Sequence, residues 1–289
     1  MADKEIDEHS GIETTGHEWD GIKELNNPLP RWWLIVFYIC VIWSVGYWIV
    51  MPAWPGITGY TKGLRGHSER ENVAADIAAL DAERAEATRR LISAPSMRAI
   101  EDDPGLQQFA LAAGKSLFGD NCATCHGSGG QGFPGYPNLN DDAWIWGGGL
   151  EDIKRTIAYG RRSDHPETTN SIMMAYGRDG LLPADEINDL TNYVLGLSGQ
   201  DHDAAAAGRA APIFAGQCAV CHGADGGGDR TQGAPNLTDA ISLFGGDRKT
   251  IHETIWNGRA GVMPAWEGRL SEAEITALAV YVHSLGGGE

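Results

Sequence analysis

Five residues near the middle of the chain, Cys122-Ala123-Thr124-Cys125-His126, recur 96 residues later as Cys218-Ala219-Val220-Cys221-His222. A C-x-x-C pair alone suits zinc or a redox dithiol, but neither explains a His directly after each pair. A zinc site would also need both pairs to converge on one ion. C-x-x-C-H is the attachment signature of a c-type haem. Two thiols must reach the vinyl groups on one edge of a porphyrin and form thioethers, and the next residue must set an imidazole under the iron. A short turn opening a helix places all three groups, so the pattern predicts two covalently bound haems c, each in a small helical domain.

The surroundings of the two pentapeptides repeat as well. Phe118 stands four residues before Cys122 and Phe214 four before Cys218; Gly127 and Gly223 follow the histidines. Pro137-Asn138-Leu139 matches Pro235-Asn236-Leu237, and Tyr159-Gly160-Arg161 matches Asn257-Gly258-Arg259. Met173-Met174-Ala175-Tyr176 matches Met263-Pro264-Ala265-Trp266, and Glu186-Ile187 and Tyr193 match Glu274-Ile275 and Tyr281. The offset shortens after the Gly-Arg pair, so the first copy carries a small insertion around Ser163 to Asn170. Each copy opens with a short helix bearing the pentapeptide and closes with an amphipathic helix, Pro183 to Leu197 or Ser271 to Leu285. The expected fold is all-α, with two tandem class I-like cytochrome c domains at 105–200 and 201–289.

Upstream, Trp32 to Met51 is a 20-residue run without a charge. At about 1.5 Å per residue it spans roughly 30 Å, the thickness of a hydrocarbon core. Trp32, Trp33, Trp48 and Trp54 sit towards its ends, as interfacial aromatics do. The run is too long for a signal peptide, an acidic stretch precedes it and no small-residue cleavage site follows. It reads as a transmembrane anchor, 32–52. Residues 1–31 are polar and acidic and read as a disordered or partner-bound cytoplasmic tail. Residues 53–104 read as a linker in which 68–93, with Val73, Ile77, Leu80, Ala87 and Leu91 at helical spacing, forms an amphipathic helix.

The balance of 22 Lys+Arg against 39 Asp+Glu, a net charge of −17, argues against a nucleic-acid partner. The fifth cysteine, Cys40, lies in the apolar run and reads as an inert packing residue. Covalent haem attachment places both domains on the periplasmic side of a bacterial inner membrane, with the N-terminus in the cytoplasm. Lys/Arg counts around the anchor decide little.

An electron-transfer haem needs two strong axial ligands. His126 and His222 supply one each, and a downstream thioether supplies the other and raises the potential. Met263 is the candidate in the second copy and Met173 its counterpart in the first, with the adjacent Met174 as rival. Pro137 and Pro235 are expected to orient the His rings through their carbonyls. Arg161 and Arg259 suit haem propionates or plain surface positions. Trp144, Trp146, Tyr159, Trp256 and Trp266 are expected to wall the haems, and His165, His202, His252 and His283 read as surface or capping residues. No Ser-His-Asp set, phosphate loop or paired-carboxylate site is visible, so no catalytic residue is expected.

One anchor followed by two such domains resembles the dihaem cytochrome c subunit of cbb3-type cytochrome c oxidases. The likeness rests on the anchor, on both pentapeptides, on Met173 and Met263 in matching contexts, and on Gly16-His17-Glu18-Trp19-Asp20-Gly21-Ile22 before the anchor. It implies an electron-transfer subunit of an oxidoreductase complex in aerobic or microaerobic respiration, itself non-catalytic. Such a subunit accepts electrons from a periplasmic donor cytochrome c or a bc1 complex and passes them through a monohaem cytochrome c subunit to a haem-copper catalytic subunit, while its anchor contacts membrane lipid. The resemblance also implies that the axial methionines are exchanged, Met173 serving the haem of Cys218/Cys221 and Met263 that of Cys122/Cys125. Sequence order alone suggests the unexchanged arrangement. Met174, where the family has Pro, is a departure. An anchored dihaem cytochrome serving another redox partner, or a dihaem cytochrome c peroxidase, is the alternative. The segment from Pro104 onward carries 12 Lys/Arg and 22 Asp/Glu, a field expected to steer a basic donor.

Overall fold

The computed structural model describes residues 5–288, so Met1 to Lys4 of the tail lie outside the described residues. The chain divides into two compact units, one ending at Asp81 and one beginning at Ala82.

The first unit opens with a hairpin in the segment expected to be a disordered or partner-bound tail. Strands β1 (Thr14–Trp19) and β2 (Ile22–Leu25) pair antiparallel, with Trp19 opposite Ile22 and Glu18 opposite Lys23. Asp20 and Gly21 both take positive φ, 50° and 82°, as a two-residue hairpin turn requires and as Asp-Gly tolerates best. Helix α1 (Arg31–Val50) follows Pro28 and Pro30, and no residue of it is buried. Among the described residues it is the one helix long and apolar enough to cross a membrane. Cys40 is exposed on it rather than packed, because a helix with no buried residue offers no interior. Helix α2 (Glu69–Ser93) matches the expected linker helix, yet Val73, Ile77 and Leu80 are exposed and only Leu91 is buried.

The second unit carries the paired repeats. Helices α3 (Met97–Glu101), α4 (Pro104–Asn121), α5 (Ala123–His126) and α6 (Leu150–Tyr159) lead to α7 (Ala184–Leu197). Helices α8 (Ala204–Gln217), α9 (Ala219–His222), α10 (Arg248–Asn257) and α11 (Glu272–His283) complete it. Asp103 caps α4 with Pro104 at its first position, and Asp203 caps α8, satisfying N–H groups that a helix start leaves free. Ser271 and Glu274 form a capping box on α11.

The closing helices cross over. Leu106, Ala110 and Phe118 of α4 and Ile153 and Ile157 of α6 pack against Ile275, Leu278 and Val282 of α11, from the second repeat. Ala210 and Phe214 of α8 and Ile255 of α10 pack against Ile187 and Leu190 of α7, from the first. Each apolar core therefore joins the pentapeptide half of one repeat to the closing helix of the other.

Candidate haem centre

Each pentapeptide grows out of a helix end. The Cys122 N–H donates to Phe118 O (2.8 Å) and that of Cys218 to Phe214 O (2.9 Å), so the first thiol closes the preceding helix. One further turn brings His126 N–H to Cys122 O and His222 N–H to Cys218 O, both at 2.9 Å. Gly127 and Gly223 then leave the helix at φ 78° and 76°, a conformation that favours glycine. Two thiols and an imidazole are thus presented by a single turn, twice.

The rings are oriented as expected. His126 Nδ1 lies 3.1 Å from Pro137 O, and His222 Nδ1 lies 3.1 Å from Pro235 O. An Nδ1–H donated to a carbonyl leaves the lone pair on Nε2. Burial pushes the pKa of both imidazoles down, against the pull of the proline carbonyls, which keeps them in the neutral form that binds metal. Burial, aided by the neighbouring Cys125 or Cys221, pushes the Cys122 and Cys218 thiols up to about 11. Burial thus disfavours the thiolate at the first cysteine of each pair. Among the described residues no three His, Cys, Asp or Glu side chains group as a bare-ion site.

The methionine segments pair main chain to main chain with the opposite repeat. Arg161 N–H donates to Met263 O and Met263 N–H to Arg161 O, both at 3.0 Å. Met173 N–H donates to Arg259 O at 3.0 Å, and Arg259 N–H returns to Met173 O at 3.3 Å. This approach explains the repeated Gly-Arg. A Cβ on Gly160 would stand 2.3 Å from Met263 O, and one on Gly258 2.3 Å from Met173 O. Met263 consequently packs in the core that holds Cys122, and Met173 in the core that holds Cys218. Met173 is half-buried, whereas Met174 is 49% exposed.

A cavity of about 910 Å3 is lined by both pentapeptide histidines and by Met173, Met174 and Met263, near the upper end of ordinary ligand pockets (~300–1,000 Å3). Trp144, Trp146 and Trp266 line it, as expected. Tyr159 and Trp256 do not: their rings stack on His165 and His252, at 4.8 and 5.8 Å between centroids. His165 Nε2 meets Glu267 at 2.8 Å and His283 Nδ1 meets Glu101 at 2.7 Å, so these two bridge elements rather than sit free on the surface.

Arg161 and Arg259 both line the cavity. Arg161 is buried over the Trp146 ring, its Nε has no partner, and burial pushes its pKa down to about 10. A buried guanidinium whose Nε–H is left without a partner beside an apolar cavity calls for an anion there. Neutral imidazoles, thioethers, paired thiols, indole walls and a buried Arg161 Nε–H without a partner together fit an iron porphyrin with carboxylate side chains. Thr156 and Thr254, which hold the two arginines, were legible as matched threonines five residues before each Arg. Arg162 was not: its guanidinium reaches both Gly261 O and Ser171 O, tying the two methionine segments together.

This fold and site define a membrane-anchored protein with tandem cytochrome c domains, whose pentapeptides imply covalently bound c-type haem. Three family models match in order along the chain. Residues 11–58 match the N-terminal domain of cytochrome oxidase-cbb3, FixP; residues 111–198 match cytochrome c; residues 205–282 match cytochrome c oxidase, cbb3-type, subunit III. The chain is 56% identical over 294 residues to the cbb3-type cytochrome c oxidase subunit FixP of Bradyrhizobium sp. (strain ORS 278), covering all of both chains. It is 53% identical over 277 residues to subunit CcoP of Cereibacter sphaeroides, covering 96% of this chain and 95% of that one. The chain belongs to the FixP/CcoP family of cbb3-type cytochrome c oxidase subunits.

Proposed function

We propose that the chain is the electron-accepting dihaem subunit of its oxidase. Cys122 and Cys125 would hold one haem c, with His126 and Met263 as the side chains that ligate it, and Cys218 and Cys221 would hold the other, with His222 and Met173. The reading is carried by the reciprocal pairing of each methionine segment with the Gly-Arg segment of the other repeat. That pairing supports a thioether offered to each pentapeptide from across the seam. Bound haem c supplies a one-electron Fe(II)/Fe(III) couple.

The residues do the rest. Pro137 and Pro235 hold the Nδ1 protons so that each Nε2 keeps its lone pair for iron. The thioethers favour the reduced state, and Trp144, Trp146 and Trp266 exclude water. Residues 1–31 lie in the cytoplasm, 32–52 cross the bacterial inner membrane, and 53–104 link to periplasmic haem-bearing segments at 105–200 and 201–289. Electrons arrive from a basic periplasmic cytochrome c or a bc1 complex, steered by the acidic haem region. They leave through the monohaem subunit to the haem-copper subunit.

Purification of the tagged chain from membranes in mild detergent, with pyridine haemochrome spectra, tests this. Two haems c per chain are expected, with haem b and a large polytopic subunit in fixed ratio and with oxygen uptake. Haem c alone, or a co-purifying dehydrogenase, would sink the assignment to an oxidase relay. Cys122→Ser and Cys218→Ser should each remove one thioether bond and shift the spectrum of one haem only.

A further inference from the structure

Two arginines hold the same place in the two repeats yet meet different surroundings. Arg161 is only 9% exposed. Its guanidinium lies 4.1 Å above the Trp146 ring, Nη1 donates to Thr169 Oγ1 at 2.9 Å, and Nη2 donates to the Thr156 hydroxyl. Its Nε–H is buried with no partner. Trp146 is itself pinned, for a Cβ on Gly233 would fall 2.1 Å from its ring. Arg259 is more open, and its Nε and Nη2 both donate to Thr254 Oγ1, at 3.0 and 2.7 Å. It stacks on Phe244 rather than on an indole, at 4.0 Å. The charged neighbours of Arg161 are Arg155, Arg162 and Asp152, which leave the local sum positive.

A fixed cation beside a redox centre favours the state with one electron more, and does so more strongly where water is excluded. Arg161 follows α6, whose Ile153 and Ile157 pack in the core that holds Cys122 and Met263; Arg259 follows α10, whose Ile255 packs in the core that holds Cys218 and Met173. We propose that Arg161 sets the haem site at Cys122/Cys125 to the higher potential of the two. An electron taken up at the second pentapeptide then settles at the first and leaves from there. The transfer moves one electron, oxidising the second centre and reducing the first, with no bond or proton changing place. This rests on the reading above that each pentapeptide carries a haem.

The test is a spectroelectrochemical titration of the full-length protein, resolved into two one-electron components. Arg161→Gln should lower the higher component and cut the equilibrium preference for the first site about tenfold, or ~59 mV for one electron. Arg161→Lys, which keeps the charge, should retain most of the separation. Arg259→Gln should move the lower component, and by less. If Arg161→Gln fails to assemble, Met263→His decides, since exchanging thioether for imidazole lowers whichever component that ligand serves. That component must be the higher one. An unchanged separation in Arg161→Gln, a larger shift in Arg259→Gln, or a Met263→His that moves the lower component overturns the assignment. Absence of covalent haem in the unsubstituted chain would instead overturn the haem reading itself.

Discussion

Helices α4 and α11 cross at Gly114, and the contact is too close for any larger residue. A Cβ built there stands 2.4 Å from Ala277 O and 2.6 Å from Tyr281 Cβ. Ordinary contact begins near 3.4 Å, so Gly114→Ala must drive α11 back by about 1 Å. Overpacking of this kind costs about 1–3 kcal/mol, and a helical Gly→Ala exchange returns up to about 1 kcal/mol. The net expectation is a loss of about 1–2 kcal/mol, or roughly 3–6 °C in Tm for a unit of this size. Gly119 in the same helix has nothing within 4 Å of its Cβ position, so Gly119→Ala should keep the propensity gain and raise Tm slightly. Thermal unfolding of the full-length protein, followed by far-ultraviolet and Soret circular dichroism, reads both signs. A Gly114→Ala protein as stable as the parent, or both variants moving the same way, would refute the crossing of α11 onto α4.

Ser271→Ala removes the capping box of α11 and should cost about 1 kcal/mol; on the proposed haem placement, the first haem's Soret dichroism should be lost before the second's on heating. Asp103, Asp203 and Asp247 are held below the ordinary Asp value by hydrogen bonds from Leu106 N–H, Ala206 N–H and the Thr250 hydroxyl, respectively. Groups lowered in the fold lend stability above about pH 4 and lose it as pH falls through their folded values. A Tm profile from pH 6 to pH 2 should fall accordingly, and the triple Asn variant should flatten it. Arg162→Ala frees both Gly261 O and Ser171 O and, on the proposed ligand set, should weaken methionine ligation at both haems, seen as a smaller far-red Met–Fe(III) band.

The haem chemistry was legible because covalent attachment fixes residue types at fixed spacing; the proline carbonyls and the repeated Gly-Arg followed from comparing one copy with the other. The partnership of the helices was not. Ile187 and Leu190 of α7 and Ile275 and Leu278 of α11 make the same apolar face, and a local pattern cannot say which copy's helix it will meet. Tyr159 and Trp256 sit at the ends of α6 and α10, where helical phase turns them towards His165 and His252 and away from the cavity. In the tail, acidic composition points to disorder, but Asp20-Gly21 between β-prone residues is a hairpin signal that outweighs it.

Helices α7 and α11 are alike in apolar residues but differ in polar ones, a difference that would select the exchanged pairing. On α7, Asp189 accepts from Arg209 of α8 at two nitrogens, 2.8 and 2.6 Å. Asn192 Oδ1 accepts from Asp203 N–H at 3.0 Å and from Arg248 at 2.8 Å. The corresponding residues of α11 are Ala277 and Val280, both buried against α4, where Ala113 and Gly114 stand in place of Arg209 and Ala210. An unexchanged chain would set Asp189 and Asn192 against apolar α4 and leave Arg209 facing Ala277, with polar groups buried and unmatched. If this matching selects partners, Asp189→Ala and Arg209→Ala should lower the unfolding midpoint by similar amounts, and the double variant should fall no further than either. Strictly additive losses would mean that the two side chains act independently and that the exchange is selected elsewhere, by the Gly114 crossing alone. The same matching predicts that residues 105–200 made without their partner cannot close a normal core: α7 would bring a carboxylate to the surface of α4 that Ala277 occupies in the whole chain, and Met263 would be missing.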